Sequence, residues 1–202
     1  MFDAWLRALK DRLFASFARR VGTFVHPGVV TVLACAVGLL AAWAAADRRY
    51  AAALALWVLN RALDGLDGSI ARESGRASDV GGYLDILLDH VVYAALPIGL
   101  ALGAGTRGAL VAALVLIATF YVNAASWMYL SAVLERRERG AAARGERTTV
   151  TMPPGLVAGA ETAVLYAIFL LLPAHLVALF FLMAVLVLLT VAQRLLWATR
   201  YL

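Results

Sequence analysis

Tyr50–Ala104 reads YAAALALWVLNRALDGLDGSIARESGRASDVGGYLDILLDHVVYAALPIGLALGA. It contains two apolar stretches, each close to the roughly 20 residues that carry a helix across a bilayer. The first runs from about 50 to 71 and is interrupted near its end by Asp64 and Asp67. A polar stretch, Arg72 to Asp79, follows. The second covers about 80–103, carries Asp85 and Asp89 near its start, and has Pro97 placed to kink it. Apolar runs of this length satisfy their backbone groups in lipid only by coiling into helices.

The rest of the chain repeats the theme without the carboxylates. His26-Pro27-Gly28 punctuates the start of a span at about 28–46, which ends at Asp47-Arg48-Arg49. Further spans are expected at about 108–134, 155–172 and 174–196, with Pro153-Pro154 placed to open the fifth. In residues 1–26, Leu6, Leu9, Leu13 and Phe17 recur at helical spacing, with Arg7, Lys10, Arg12, Arg19 and Arg20 mostly off that stripe. Such a segment lies in the headgroup plane. It does not read as a cleaved signal peptide, because the apolar block that follows is full span length. The expected fold is an all-α integral membrane protein, one domain over 1–202, with six transmembrane helices and an N-terminal interfacial amphipathic helix.

Composition agrees. Of 202 residues, 63% are apolar and 15% charged, against about 45–50% apolar in soluble domains. A soluble, disordered or collagen-like chain is excluded. The single cysteine, Cys35, excludes an internal disulfide or thiolate cluster. The net charge of +5 would suit a nucleic-acid partner, but the charges flank apolar blocks and set topology instead. Arg7, Lys10, Arg12, Arg19, Arg20, Arg72, Arg76, Arg136, Arg137, Arg139, Arg144, Arg147, Arg194 and Arg200 fall on one side of six spans. Only Arg48, Arg49 and Arg107 fall on the other. The positive-inside rule turns both termini and the loops 72–79 and 135–151 to the cytoplasm, as in a bacterial-type inner membrane protein.

Four carboxylates contradict the apolar rule. Each of Asp64, Asp67, Asp85 and Asp89 costs about 2.5–3.5 kcal/mol near mid-bilayer. Asp64 and Asp67 lie roughly 60° apart on one helix, and Asp85 and Asp89 roughly 40° apart on the next. The two pairs are therefore expected to converge near the cytoplasmic side. Carboxylates without thiolate or clustered histidine make a hard-oxygen site that suits Mg²⁺ or Mn²⁺ and not Zn²⁺. Four of them suit two bridged cations, the usual partners of phosphate oxygens. Gly68 and Gly81 leave room beside the cluster, and Arg72 can meet phosphate at the helix end. The competing reading pairs these Asp with Arg61, Arg72 and Arg76 for folding alone; Arg61 is three residues before Asp64, a permitted i, i+3 pair.

The spacing Asp64-x2-Asp67-Gly68-x2-Ala71-Arg72-x8-Gly81-x3-Asp85-x3-Asp89 resembles the full signature of the CDP-alcohol phosphatidyltransferase family. The six-helix layout with an amphipathic first helix is similar as well. The resemblance implies transfer of a substituted phosphate from a CDP-linked lipid, such as CDP-diacylglycerol, to an alcohol, with release of CMP, in phospholipid biosynthesis. It implies that Asp64, Asp67, Asp85 and Asp89 hold two divalent cations, Mg²⁺ or Mn²⁺. Asp89 would also be the general base on the acceptor hydroxyl. Asp64, Gly68, Ala71, Arg72 and Gly81 would bind the nucleotide. A homodimer in the lipid bilayer is implied too.

The resemblance implies a small polar or phosphorylated alcohol as acceptor. Phosphatidylglycerophosphate synthases often carry Pro after the third Asp and Lys after the fourth, and serine-using members often carry Ser after the third. Here Ile86 and His90 stand there, so neither acceptor is assigned. Arg76 and His90 are candidate acceptor contacts. Glu161 either faces the cavity or pairs with an arginine. Trp43, Trp57, Trp127 and Trp197 are expected as interfacial anchors or packing residues. Two alternatives remain: an intramembrane prenyltransferase using Asp-bound Mg²⁺, and a small cation transporter. Both Asp pairs fall within 64–89, which disfavours the first, and a transporter needs neither Ala71-Arg72 nor the two glycines.

Overall fold

The computed structural model describes residues 24–140, 143 and 155–202. The interfacial helix expected over 1–26, apart from its last three residues, lies outside the described residues, as do Pro153-Pro154 and most of the 135–151 loop.

Among the described residues the fold is all-α. The helices are α1 (Pro27–Ala46), α2 (Tyr50–Glu73), α3 (Asp79–Ala104), α4 (Arg107–Arg136), α5 (Gly159–Leu171) and α6 (Leu176–Tyr201). A single 3₁₀ turn, Pro173–His175, separates the last two. Helices α1, α3, α4 and the segment Pro173–Arg200 are long and apolar enough to cross a membrane. With 24 residues α2 has the length, but its second half carries Arg61, Asp64, Asp67, Arg72 and Glu73. At 13 residues, α5 reaches about 20 Å, short of the ~30 Å hydrocarbon core.

Local chemistry explains the ends. His26 accepts the Gly28 N–H at 3.2 Å, and Pro27 occupies the first turn, where its missing donor costs nothing. Thr106 caps α4 by accepting the Ala109 N–H. After α2, Gly75 takes φ +66 and Arg76 N donates to Ala71 O at 2.9 Å, a left-handed stop. Pro97 is buried within α3, which runs through it. The helix expected from about 155 begins at Gly159, and ahead of it Val157 N donates to Thr190 Oγ1 at 2.9 Å. Among the described residues Glu161 has a local partner. Its Oε2 accepts the Ala158 N–H at 3.1 Å, the reach-back half of a capping box.

The chain forms two compact units, one comprising residues up to Ala104 with Tyr166–Pro173, the other Gly105–Leu165 with Ala174–Leu202. In the first, α1 packs against both α2 and α3. At two points the α1–α3 seam is backbone against backbone. A Cβ placed on Gly99 would stand 2.1 Å from the Ala42 carbonyl oxygen, and one on Gly103 2.4 Å from that of Ala45. On the other helix, a Cβ on Gly38 would meet Val92 at 2.6 Å. Backbones approach this closely only where residues are small, the usual device of membrane helix packing. The outer face of α1 shows Val29, Val32, Leu33, Leu39, Leu40 and Trp43, all exposed, as expected of a lipid-facing surface.

Deeper in this unit, Trp57, Tyr166 and Phe169 are fully buried. The Trp57 and Tyr166 ring centroids lie 5.3 Å apart, and Tyr93 meets Tyr166 edge-on at 5.8 Å. Tyr166 Oη donates to the Tyr93 carbonyl at 2.7 Å, so its buried hydroxyl is satisfied. Trp57 is thus a packing residue, whereas Trp43 is 60% exposed. In the second unit α4 packs on α6. There Arg194 is buried, not a solvated topology charge, and its Nη1 donates to Asn123 Oδ1 at 3.0 Å.

Candidate active site

The site is built on the second half of α2 and the first half of α3, both in the first unit. Helical periodicity brings the carboxylates to one region, because α2 and α3 flank α1. Asp64, Asp85 and Asp89 line one small pocket together with Thr31, Ala34, Cys35, Asn60, Leu88 and Val92. Three of the four aspartates read from the sequence therefore meet. Asp67 lies about one turn further along α2 and is buried. Its Oδ1 accepts the Gly68 N–H at 2.5 Å, while Oδ2 is buried without a hydrogen-bond partner among the described residues.

Arg61 organises the other face. Its Nη2 donates to Asp89 Oδ1 at 2.8 Å, and its Nη1 lies 3.5 Å from Asp64 Oδ2. The same guanidinium donates through Nε to Asn60 Oδ1 at 2.8 Å and through Nη1 to Tyr93 Oη at 2.9 Å. Its Cζ lies 4.9 Å from the Trp57 ring centroid and 5.2 Å from that of Tyr93, within cation–π range. The i, i+3 pair with Asp64 is visible in the sequence. The bond to Asp89, 28 positions away, is not, since it depends on how α2 and α3 pack. Asn60 and Arg61 did carry a signal, as polar residues in an apolar helix are functional candidates by default.

The remaining predicted residues fall around this centre. Arg72 is exposed and folds back along its helix, so that a Cβ on Gly68 would stand 3.2 Å from Arg72 Nη1. Its Nη2 donates to Ser69 Oγ at 3.4 Å. Ala71 and Gly81 are half-buried, and Gly81 N donates to Ser78 Oγ at 3.1 Å. Arg76 is exposed in the turn after α2. His90 sits on α3 with Nδ1 2.7 Å from Ile86 O. That bond fixes the ring through its own helix.

Donors of this kind fit hard divalent cations: they are carboxylate oxygens, one of them buried and unpartnered. Their placement is not that of a closed cage. Among the described residues no three carboxylate, imidazole or thiol groups are gathered to chelate an ion. Asp64 and Asp89 instead pair with Arg61.

The chain is similar to known proteins over most of its length. The family model described as CDP-alcohol phosphatidyltransferase matches residues 24–199. Inner membrane protein YnjF of Escherichia coli K12 is 35% identical over 150 residues, covering 74% of this chain and 71% of that one. The archaetidylinositol phosphate synthase of Pyrococcus horikoshii is 30% identical over 126 residues, covering 62% and 66%. Among solved structures, phosphatidylinositol phosphate synthase of Mycobacterium tuberculosis with CDP-DAG bound superposes with a TM-score of 0.70 at 21% identity, covering 91% and 92%. The same enzyme with manganese and citrate gives 0.66 at 22% identity, covering 90% and 85%.

The helical membrane fold and the family model together define a membrane transferase acting on substituted phosphates. More particularly, the chain belongs to the CDP-alcohol phosphatidyltransferase family. It is an enzyme of phospholipid biosynthesis that transfers a substituted phosphate from a CDP-linked donor to an alcohol. The prenyltransferase and transporter readings fall with that assignment.

Proposed function

We propose that the α2–α3 carboxylates are the reaction centre, at which an acceptor hydroxyl attacks the β-phosphorus of a CDP-linked lipid such as CDP-diacylglycerol. The oxygen–phosphorus bond to CMP breaks, and CMP leaves. The observation that carries the reading is the meeting of Asp64, Asp85 and Asp89 at one pocket, with Asp67 buried beside them on α2.

In this reading Asp64, Asp67, Asp85 and Asp89 hold two divalent cations, Mg²⁺ or Mn²⁺. When bound, the cations would supply charge stabilisation to the attacking and leaving oxygens. The chain's own residues do the rest. Asp89 takes the proton of the acceptor hydroxyl onto a carboxylate oxygen, a role that needs direct contact with the acceptor. Asp64, Gly68, Ala71, Arg72 and Gly81 receive the nucleotide. Gly68 leaves open backbone under the Arg72 guanidinium, and Arg72 offers planar paired donors to phosphate oxygens. Arg76 and His90 are the candidate acceptor contacts. The acceptor is a small polar or phosphorylated alcohol, and the similarity to archaetidylinositol phosphate and phosphatidylinositol phosphate synthases puts inositol phosphate first in the panel to test.

The same reading includes a homodimer within the bilayer and an active site facing the cytoplasm, the side with most of the basic residues. The test is CMP release by purified protein given CDP-diacylglycerol, Mg²⁺ or Mn²⁺, and a panel of inositol phosphate, inositol, glycerol 3-phosphate and serine. Metal-dependent CMP release with one acceptor supports the reading. No metal-dependent release with any of them overturns it.

A further inference from the structure

We propose that Arg61 is a positioning residue for the reaction, a tethered counter-cation that holds Asp64 and Asp89 in place until metal binds. This rests on the assignment of those two carboxylates to the metal and base roles above. The signature that identifies the family begins at Asp64 and does not include Arg61.

Three observations carry the inference. First, Arg61 joins the first and last carboxylates of the signature, at 3.5 Å to Asp64 Oδ2 and 2.8 Å to Asp89 Oδ1. Second, its own geometry is fixed by groups that are not carboxylates. Asn60 Oδ1 and Tyr93 Oη each take one of its N–H groups, and the Trp57 and Tyr93 rings flank it at 4.9 and 5.2 Å. A guanidinium that served only to neutralise charge needs no such box. Third, the bond to Asp89 engages one named oxygen, Oδ1, so the carboxylate plane is oriented while Asp89 still borders the pocket.

Charge supplies the logic. Aspartates crowded in a low-dielectric region repel one another strongly. A fixed cation lowers that repulsion in the metal-free protein, and it also competes with metal for the same oxygens. Removing it therefore has opposite effects on metal affinity and on turnover, which loss of a merely structural side chain does not produce.

The experiment uses the full-length protein in detergent with Arg61→Met, Arg61→Gln and Arg61→Lys. Mn²⁺ affinity is read by electron paramagnetic resonance and thermal unfolding is read with and without EDTA. For Arg61→Met, Mn²⁺ binds about 3–10-fold tighter, a coupling of ordinary size for neighbouring charges, and the EDTA-induced fall in Tm widens. In CMP release kcat falls about 10–100-fold with KM for the CDP-lipid within about 3-fold, the pattern of a misplaced group. Arg61→Lys restores part of kcat. If Arg61→Met yields no folded protein, Arg61→Gln keeps an amide donor without the charge and is read by the same criteria. Equal or weaker Mn²⁺ binding, or an unchanged kcat, overturns the proposal. Failure of the unaltered enzyme to release CMP would instead count against the reaction itself, and the Mn²⁺ arm would still report on Arg61.

Discussion

Arg61 Nη2 stands 2.8 Å from Asp89 Oδ1, so the last aspartate of the 64–89 signature is tied to a residue that precedes the first. This cross-helix bond makes α2 and α3 one chemical unit. A change at either end should be felt at the other.

Asp89→Asn keeps the size of the side chain and an oxygen that can accept from Arg61, but it loses the base. CMP release should fall about 10²–10⁴-fold, the usual worth of a positioned general base. CDP-lipid binding, followed by equilibrium titration, should stay within a few-fold of the unaltered protein. Near-normal turnover in this variant would remove Asp89 from the catalytic role.

Chelation should act on stability as well as on rate. Metal at about a hundredfold over its Kd contributes ~2.7 kcal/mol to the folded state. For a chain of this size that is worth about 5–10 °C in Tm. EDTA should abolish CMP release and lower Tm by an amount of this order, and added Mg²⁺ or Mn²⁺ should reverse both. Identical unfolding curves with and without EDTA would argue against a metal site.

The α1–α3 seam gives a test of the fold that is independent of chemistry. In Gly99→Ala the new methyl meets the Ala42 carbonyl at 2.1 Å, and backbone cannot step aside as a side-chain tip can. The expected cost is about 1–3 kcal/mol, as for other overpacked sites. At Gly159, by contrast, a Cβ meets nothing within 4 Å. Gly159→Ala should be neutral or raise stability by up to about 1 kcal/mol through helix propensity. Thermal unfolding of the two variants side by side decides the matter.

Orientation can be read with single cysteines in a Cys35→Ala background. Arg49 and Ala77 are both exposed, one before α2 and one after it. With the site facing the cytoplasm, a membrane-impermeant maleimide labels Arg49→Cys in intact cells and Ala77→Cys only after permeabilisation. The reverse pattern would invert the topology.

The parts of this protein legible from sequence were those encoded locally. Asp64, Asp67, Asp85 and Asp89 announce themselves because each violates the apolar rule within its own helix, and their spacing alone sets their faces. The helix α1 was as plain, being uninterrupted between Pro27 and Ala46. What stayed hidden depended on distant partners. The bond between Arg61 and Asp89 arises only when α3 packs beside α2. Glu161 read as an intramembrane carboxylate because nothing local reveals that Thr190 pins the preceding backbone at Val157. Arg194 counted as a topology charge, yet Asn123 Oδ1, 71 positions away, accepts from it inside the second unit. Trp57 and Trp43 are alike in sequence context, and only packing separates the buried ring from the exposed one.

The closeness of α1 and α3 has a consequence for how this chain can change over time. Where Gly99 and Gly103 meet the carbonyls of Ala42 and Ala45, no side chain exists to be trimmed, swapped or repacked in compensation. Drift at those positions is confined to residues no larger than the ones present, whereas the outward row of Val29, Val32, Leu33 and Leu40 accepts any substitute that lipid tolerates. A library of random variants selected for folded protein should therefore come back nearly monochrome along the seam and richly varied a half-turn away.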